Sequence, residues 1–391
     1  MAAIDTKRDS RFRTGVVLPI SAAHFVHDIF TALIAPLLPL LIQKFSLSLT
    51  QAGSLVFIMQ LPSLLNPILG SLTDRYKLHR SLVVIAPGVT GTLVCLMGLA
   101  PGYAGLVVLL LTAGFSVAGI HVGAPVLIKA NAGDAVGRGM SFFMVAGELA
   151  RTVGPLVAVQ LAASFGVGGL WRVIPVAVAS SLLLWWRLGS VPEYEPEGQP
   201  SQLFAVWRSM RRIFAALVGI LVARAFMGAA LTTYLPTFIY GEGHSLWLAN
   251  ISLSVLELAG AAGALTAGTL SDFLGRRRVL TWAVLLGPPL MLLFLFAGGP
   301  LRLIVLVALG FVTLSTTPVL LAVMIENSGA NPAAATGTFM MISFAIRGLI
   351  ILIVGGAGDL FGLQAAFVGC AILAVFGLPF VFLLPQDRRR V

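Results

Sequence analysis

Long apolar runs separated by short polar segments make up almost the whole chain after residue 14. A helix needs about 20 apolar residues to cross a hydrocarbon core about 30 Å thick, and these runs have that length. The core of a water-soluble protein would break such runs with polar positions every few residues. We therefore predict an all-α membrane protein with twelve spans, over residues 15–42, 50–72, 81–99, 104–129, 139–164, 169–190, 212–240, 247–271, 279–298, 302–326, 334–357 and 363–384.

The composition agrees with this pattern. Of 391 residues, 58% are hydrophobic and only 10% are charged, whereas water-soluble domains carry about 25% charged residues. Both cysteines, Cys95 and Cys370, lie inside apolar runs. We therefore predict neither a disulfide framework nor a metal site, and no motif points to a cofactor.

The distribution of positive charge predicts the orientation. With the N-terminus placed inside, 19 of the 25 Lys and Arg residues fall in inside segments, and the outside loops hold only Lys44, Arg172 and Arg302. This bias predicts cytoplasmic termini in the plasma (inner) membrane, and it explains the net charge of +10 without a nucleic-acid partner. The run over 15–42 is too long for a cleaved signal peptide, so it is predicted to remain as the first span.

A repeated loop pattern predicts two related halves. Gly70-Ser-Leu-Thr-Asp74 follows span 2, and Gly268-Thr-Leu-Ser-Asp272 follows span 8, 198 residues later. Similar segments at the starts of spans 5 and 11 have the same spacing. Two parallel six-helix repeats are a known transporter plan, with the solute site near the midplane between them. The predicted parts are an N-terminal half (1–190), a cytoplasmic linker (191–211) and a C-terminal half (212–391).

These two loops are candidates for a cytoplasmic gate. An aspartate at a helix end, beside arginines of the same loop, can form ion pairs in one conformation and lose them in another, while the glycine allows helices to approach closely. The alternative is that the arginines only anchor the spans on the inside. The candidate gate residues are Gly70, Asp74, Arg75, Arg80, Gly268, Asp272, Arg276 and Arg277.

Ionisable residues within the spans are candidates for function, because each costs at least about 2.5–3.5 kcal/mol at the membrane centre. Asp28 is predicted to carry the coupled proton, with His24 one turn away on the same helix face and able to share it. His27 is predicted to point elsewhere. The alternative is a neutral Asp28 that only hydrogen-bonds a neighbouring helix. Glu148 is a further proton-coupling candidate in span 5.

Other charged residues in the spans are candidates for substrate binding. Arg151 is three residues after Glu148, so the two side chains can pair on one helix face, and that pair is itself the alternative to a functional role. Arg224, Glu257 and Arg347 lie in three different spans of the second half. Two arginines against one glutamate leave a surplus positive charge, and an arginine does not lose its proton. We therefore expect an anionic solute.

Here the chain resembles a known family. The two loops are similar to the loop signature of the major facilitator superfamily, and the resemblance covers the whole chain. In span 1, His24–Asp28 (H-F-V-H-D) resembles the H-F-x-x-D motif of the fosmidomycin-resistance group of drug exporters. In span 4, His121 resembles a histidine of that group, although Val122-Gly123 replaces the Pro-Glu that follows it there. The resemblance implies a major facilitator fold, a phosphonate-like substrate and a substrate-binding role for His121.

Span 5 resembles the antiporter signature of proton-driven exporters. It contains Gly147 and then Gly154-Pro155, while Val157 and Ala158 replace the later glycines of the signature. Small residues allow close contact between helices in a membrane. We therefore expect Gly147, Gly154 and Pro155 to pack against a neighbouring helix, and the partial signature favours export.

Taken together, these features predict a proton-coupled antiporter that exports a small drug-like or anionic solute by alternating access. Its partners are the solute, protons and the lipid bilayer, and the fold requires no more than a monomer. A proton-coupled symporter that imports an organic anion is the alternative, and a non-transporting membrane receptor is a remote one. The five histidines are scattered in the sequence, which argues against an enzyme, and no G-x-x-x-x-G-K-[ST] motif for ATP is present.

Overall fold

The computed structural model describes residues 12–191, 211–328 and 332–385. Within these ranges the chain is helical and contains no β-strand. Among the described residues, twelve helices are long and apolar enough to cross a membrane, as the hydropathy pattern predicts. The predicted linker, 191–211, lies almost entirely outside the described residues.

The helices begin and end within four residues of the predicted bounds. They are α1 (Thr14–Phe45), α2 (Leu49–Tyr76), α3 (His79–Leu99), α4 (Tyr103–Asn131), α5 (Val136–Phe165), α6 (Val167–Leu188), α7 (Ile213–Gly241), α8 (Leu246–Leu274), α9 (Arg276–Phe296), α10 (Gly299–Glu326), α11 (Thr336–Phe361) and α12 (Leu363–Leu383).

Several of the described helices that line the interface between the halves, or lie next to it, are broken shortly before a proline. Proline has no N–H for the carbonyl four residues earlier, and its ring collides with that carbonyl. The breaks include 32–33 before Pro36 in α1, Leu61–Leu65 before Pro67 in α2, Ala230–Tyr234 before Pro236 in α7, and Ser315 before Pro318 in α10. The segment Ala230–Tyr234 is a wide π turn, a feature that often occurs at functional sites.

The two six-helix halves, α1–α6 and α7–α12, contact each other over only part of the length of their helices. We call the side that holds loops 77–78, 132–135 and 275 the basic face, and the other side the opposite face. The halves meet where α2 packs on α11, α5 on α8, and the second part of α1 on α7. The segments nearest to the basic face, Asn66–Tyr76 of α2 and Thr316–Glu326 of α10, have their main contacts within their own half.

The seam between α2 and α11 shows where this contact ends. A Cβ atom on Gly53 would lie 2.9 Å from Ile351 Cγ2, and one on Gly348 would collide with the ring of Phe57. Further along α2, a Cβ atom on Gly70 would have no described atom of the C-terminal half within 4 Å. Within the described residues, the two halves are therefore in contact at the opposite face and are separated towards the basic face.

The side chain of Asp359 links the halves at the opposite face. Its Oδ1 accepts a hydrogen bond from the Leu49 N–H at 2.6 Å, and its Oδ2 accepts from the N–H and the hydroxyl of Thr50 at 2.9 and 2.6 Å. These N–H groups belong to the first turn of α2 and have no partner within that helix. A carboxylate of one half thus caps a helix of the other half, where the helix dipole favours negative charge.

Removing this carboxylate is expected to loosen the opposite face. Replacing a helix cap by alanine costs about 0.5–2 kcal/mol, so Asp359→Ala should raise the population that is open at this face by about 2- to 30-fold. The measurement is the labelling rate of an Ile351→Cys variant by a membrane-impermeant thiol reagent, because Ile351 is buried in the seam. Glu242→Ala is the matched control, since Glu242 pairs with Arg302 within its own half. Equal labelling rates in the two variants would contradict the role of Asp359.

Candidate functional site

The core of the candidate site is a group of three histidines and one aspartate from α1 and α4. Asp28 Oδ1 lies 2.8 Å from His27 Nδ1, and its Oδ2 lies 3.1 Å from His24 Nε2. His24 Nε2 is in turn 3.4 Å from His121 Nε2. Asp28, His24 and His27 are buried, whereas His121 is exposed.

The hydrogen bonds of these histidines fix their tautomers. His24 Nδ1 lies 2.8 Å from the carbonyl oxygen of Phe143, and His121 Nδ1 lies 2.8 Å from that of Val117. A carbonyl oxygen only accepts, so in each ring Nδ1 carries the hydrogen and Nε2 of the neutral ring presents a lone pair. Two lone pairs and the Oδ2 of Asp28 therefore converge on one point.

Two expectations about the histidines are wrong. His27 does not point elsewhere, because it contacts Asp28 through Nδ1 and lies 3.1 Å from the Thr90 hydroxyl through Nε2. The histidines are also not scattered in space, since His121 on α4 reaches His24 on α1 across 97 positions of sequence. The sequence gives no sign of this contact, because it depends on how α1 and α4 pack.

Glycines of α5 allow it to lie directly against this group. A Cβ atom on Gly147 would lie 2.8 Å from His24 Cε1 and 3.3 Å from Asp28 Oδ2. About two turns further on, a Cβ atom on Gly154 would lie 2.5 Å from the Cβ of Ala32, at the break in α1. Pro155 is buried beside it within uninterrupted helix. Larger side chains at the two glycines would push α5 away from α1.

A second group of charges crosses from one half to the other. Arg151 pairs with Glu148 on the same face of α5, as the spacing predicts. The Nε of Arg151 also lies 3.7 Å from Glu257 Oε2 on α8, which belongs to the C-terminal half. Arg151 further interacts electrostatically with Asp28. It therefore connects the histidine–aspartate group to the facing half.

Two arginines of the C-terminal half, Arg347 and Arg224, have few acidic partners among the described residues. Arg347 Nη2 on α11 donates to the Thr232 hydroxyl at 3.1 Å, in the π turn of α7. Arg224 Nη2 on α7 donates to the Thr317 hydroxyl at 2.8 Å. Arg347 interacts with Glu257, and the two arginines repel each other. The described contacts leave both guanidinium groups with unused donors for an anion.

The candidate gate residues lie at the basic face, where the ion pairs that the structure shows lie within one half. Asp74 Oδ1 is 3.0 Å from His79 Nε2. In the other half, Arg276 pairs with Asp272 at 2.5 Å and with Glu326 at 2.9 Å. The described contacts of the other basic candidates lie within one half as well: Arg75 lies over Tyr76, Arg80 donates to the carbonyls of Gly189 and Val191, and Arg277 lies over Phe382.

The expected close helix approach at the gate glycines is not found. A Cβ atom on Gly70 would meet Val122 at 3.8 Å, and one on Gly268 would meet Pro318 at 3.9 Å, which are ordinary contact distances. The two positions are equivalent, each facing the fourth helix of its own half. A methyl group would fit at both because the halves are separated at this face.

Several residues of the site carry no sequence signal. Thr90, Thr232 and Thr317 are ordinary hydroxyls within apolar spans, and only their contacts with His27, Arg347 and Arg224 mark them. Phe143 contributes its carbonyl oxygen and a ring stacked on His24 at 3.8 Å between centroids. To find these threonines from the sequence, one would have to search the neighbouring spans for hydroxyl residues that could pair with each isolated charge.

Twelve spans in two six-helix halves, with buried charges at the interface between the halves, define the class as secondary transporters. The family model of the Major Facilitator Superfamily matches residues 20–351. The chain belongs to this superfamily and is a transporter by family and fold. The expectation that it is not an enzyme agrees with the family, although the comparisons do not test catalysis.

Individual proteins resemble the chain over nearly its whole length. It is 26% identical to the fosmidomycin resistance protein of Escherichia coli (strain K12), over 100% of this chain and 97% of that protein. It is 25% identical to the uncharacterized MFS-type transporter YfnC of Bacillus subtilis (strain 168), over 96% and 93%. The crystal structure of a bacterial homolog of the human lysosomal transporter Spinster, in an inward-facing and unoccupied conformation, has a TM-score of 0.80 at 17% identity and covers 95% of this chain and 97% of that one.

Proposed function

We propose that the protein is a proton-coupled antiporter that exports a small anionic solute. The observation that carries the proposal is the buried Asp28, which lies within 3.1 Å of His24 and 2.8 Å of His27 and is linked through Arg151 to Glu257 of the facing half. A carboxylate at this depth needs a partner or a function. Uptake or release of a proton at Asp28 changes the electrostatic attraction between Asp28 and Arg151. It therefore also changes the contact between Arg151 and Glu257 that joins the two halves.

The solute is proposed to bind next to this group, on the C-terminal half. Arg347 and Arg224 offer donors with the geometry that suits a carboxylate or a phosphonate. Glu257 interacts with both Arg151 and Arg347. It therefore competes with an anionic solute for Arg347, and a closer pair between Glu257 and Arg151 would weaken that competition. Proton and solute sites are coupled through this chain of charges.

The proposed orientation places the basic face in the cytoplasm, following the positive-inside rule. The separation of the halves at that face then corresponds to an inward-open state that can take up a cytoplasmic solute. The ion pairs at Asp74, Asp272 and Arg276 would rearrange when this face closes. We also propose that the protein works in the inner membrane as a monomer, because each half finds its contacts within one chain.

Export is favoured over import by two observations. Gly147 and Gly154 pack α5 against His24 and Ala32, as the partial antiporter signature suggests, and the relative at 26% identity is named for fosmidomycin resistance. A proton symporter that imports an organic anion would use the same Asp28 and the same arginines. The two functions differ in the direction in which protons move with the solute.

Solute-driven proton movement in liposomes tests the proposal. The purified protein is reconstituted with a pH dye inside, and gradients of a phosphonate antibiotic, an organic carboxylate and a lipophilic cation are imposed in turn. We expect an anion gradient to drive protons in the opposite direction. Protons that move with the anion would establish the symporter instead. A cation as the only active solute, or solute movement without protons, would contradict the proposal.

A further inference from the structure

We propose that His24, Asp28 and His121 form a binding site for a divalent transition-metal ion, of which Zn²⁺ is the best fit. The sequence predicts no metal site, because the ligands come from α1 and α4 and have no short spacing. The structure brings His24 Nε2, His121 Nε2 and Asp28 Oδ2 within 4.8 Å of one another. Two histidines and one carboxylate, with a fourth position open to water, are a common ligand set for zinc.

The distances between the ligand atoms suit a tetrahedral ion. Zinc binds histidine nitrogen and carboxylate oxygen at about 2.0–2.2 Å, so neighbouring ligand atoms of a tetrahedral site are about 3.3–3.5 Å apart. His24 Nε2 is 3.4 Å from His121 Nε2 and 3.1 Å from Asp28 Oδ2. Two of the three ligand separations are thus already close to those of a loaded site, and the third lies on the exposed side, where His121 can shift.

The orientation of the ligands also suits a cation. With Nδ1 of both rings donating to the carbonyl oxygens of Phe143 and Val117, each Nε2 directs its lone pair towards the other. No described donor lies between these lone pairs and the Asp28 carboxylate, so a cation at this point satisfies all three groups at once. Hydrogen bonds from Nδ1 to carbonyl oxygens are the usual second shell of zinc-binding histidines.

The remaining contacts hold the site in place and leave it accessible. His27 holds the second oxygen of Asp28 at 2.8 Å and is itself held by Thr90. Gly147 leaves the room that His24 occupies. His121 is exposed, which leaves the fourth position accessible to a water molecule or a solute.

Binding of Co²⁺ to the purified full-length protein tests this site without any transport assay. A four-coordinate site with histidine and carboxylate ligands gives Co²⁺ visible absorption bands that aqueous Co²⁺ lacks. We expect such bands in the wild type, with loss of the bands on addition of Zn²⁺. His121→Ala and Asp28→Asn should each abolish them, so that one variant suffices if the other does not fold. His244→Ala removes an exposed loop histidine and should leave them unchanged.

Absence of the bands in the wild type, or undiminished bands in both His121→Ala and Asp28→Asn, would overturn the metal site. Because this readout is spectroscopic, its failure is separate from a failure of the proposed transport function. A consequence that rests on the proposed function is inhibition: an ion that occupies the position of the coupled proton should block solute-driven proton movement. Zn²⁺ inhibition of the wild type should therefore be reversed by a chelator.

Discussion

Asp28→Asn is expected to abolish uphill solute transport while solute exchange continues. Asn has the same shape, and its carbonyl oxygen can accept the hydrogen bond that His27 gives to Asp28, so the packing around α1 should persist. It cannot take up or release a proton in the physiological range. The carrier would then change conformation only through exchange of one solute molecule for another, and a pH gradient would no longer drive accumulation.

Two assays in the same liposomes measure this effect. Uphill accumulation under an imposed pH gradient should fall to background in Asp28→Asn, and exchange of labelled for unlabelled solute at equal pH should stay within a few-fold of wild type. Asp134→Asn is the matched control, because Asp134 is an exposed carboxylate in a loop at the basic face. Uphill accumulation by Asp28→Asn at the wild-type level would show that another group carries the proton.

Arg347→Gln is expected to weaken binding of an anionic solute strongly. A hydrogen bond to a charged group contributes about 1.5–3 kcal/mol, so the KM of an anionic solute should rise by about 10- to 160-fold. The Thr232 contact at 3.1 Å holds the guanidinium in place in the wild type. Arg347→Lys keeps the charge but loses the planar pair of donors, and it should give an intermediate KM.

The control for this experiment is Arg187→Gln, which removes an exposed arginine stacked on Trp186 outside the site. It should leave KM unchanged. The same rise in KM for Arg347→Lys and Arg347→Gln would indicate that donor geometry matters more than charge. An unchanged KM in Arg347→Gln would remove the reason to expect an anion at this position.

The spans were predictable because their signal is local. Each requires about 20 apolar residues in a row, and the ends of all twelve helices fall within four residues of the pattern. The i, i+3 pair of Glu148 and Arg151 and the i, i+4 contact of His24 and Asp28 follow from helix geometry in the same way. Such contacts need no knowledge of how the helices pack.

Contacts between helices were not predictable in this way. His121 meets His24 only because α4 packs on α1, and Arg151 meets Glu257 only because α5 packs on α8. Asp359 lies just beyond a predicted span, and no local pattern indicates that it caps a helix of the other half. One sequence must also encode both states of an alternating carrier, so the pattern could not indicate which face is open.

The central claim is that the Asp28 group holds a proton that the solute displaces. Its most direct test is proton release on solute binding, with purified protein in weakly buffered detergent solution and a pH dye, using the solute that proves active in liposomes. We predict release by the wild type and by Asp134→Asn, and none by Asp28→Asn, whose solute binding is checked by calorimetry. Undiminished proton release from an Asp28→Asn protein that binds solute would contradict the account.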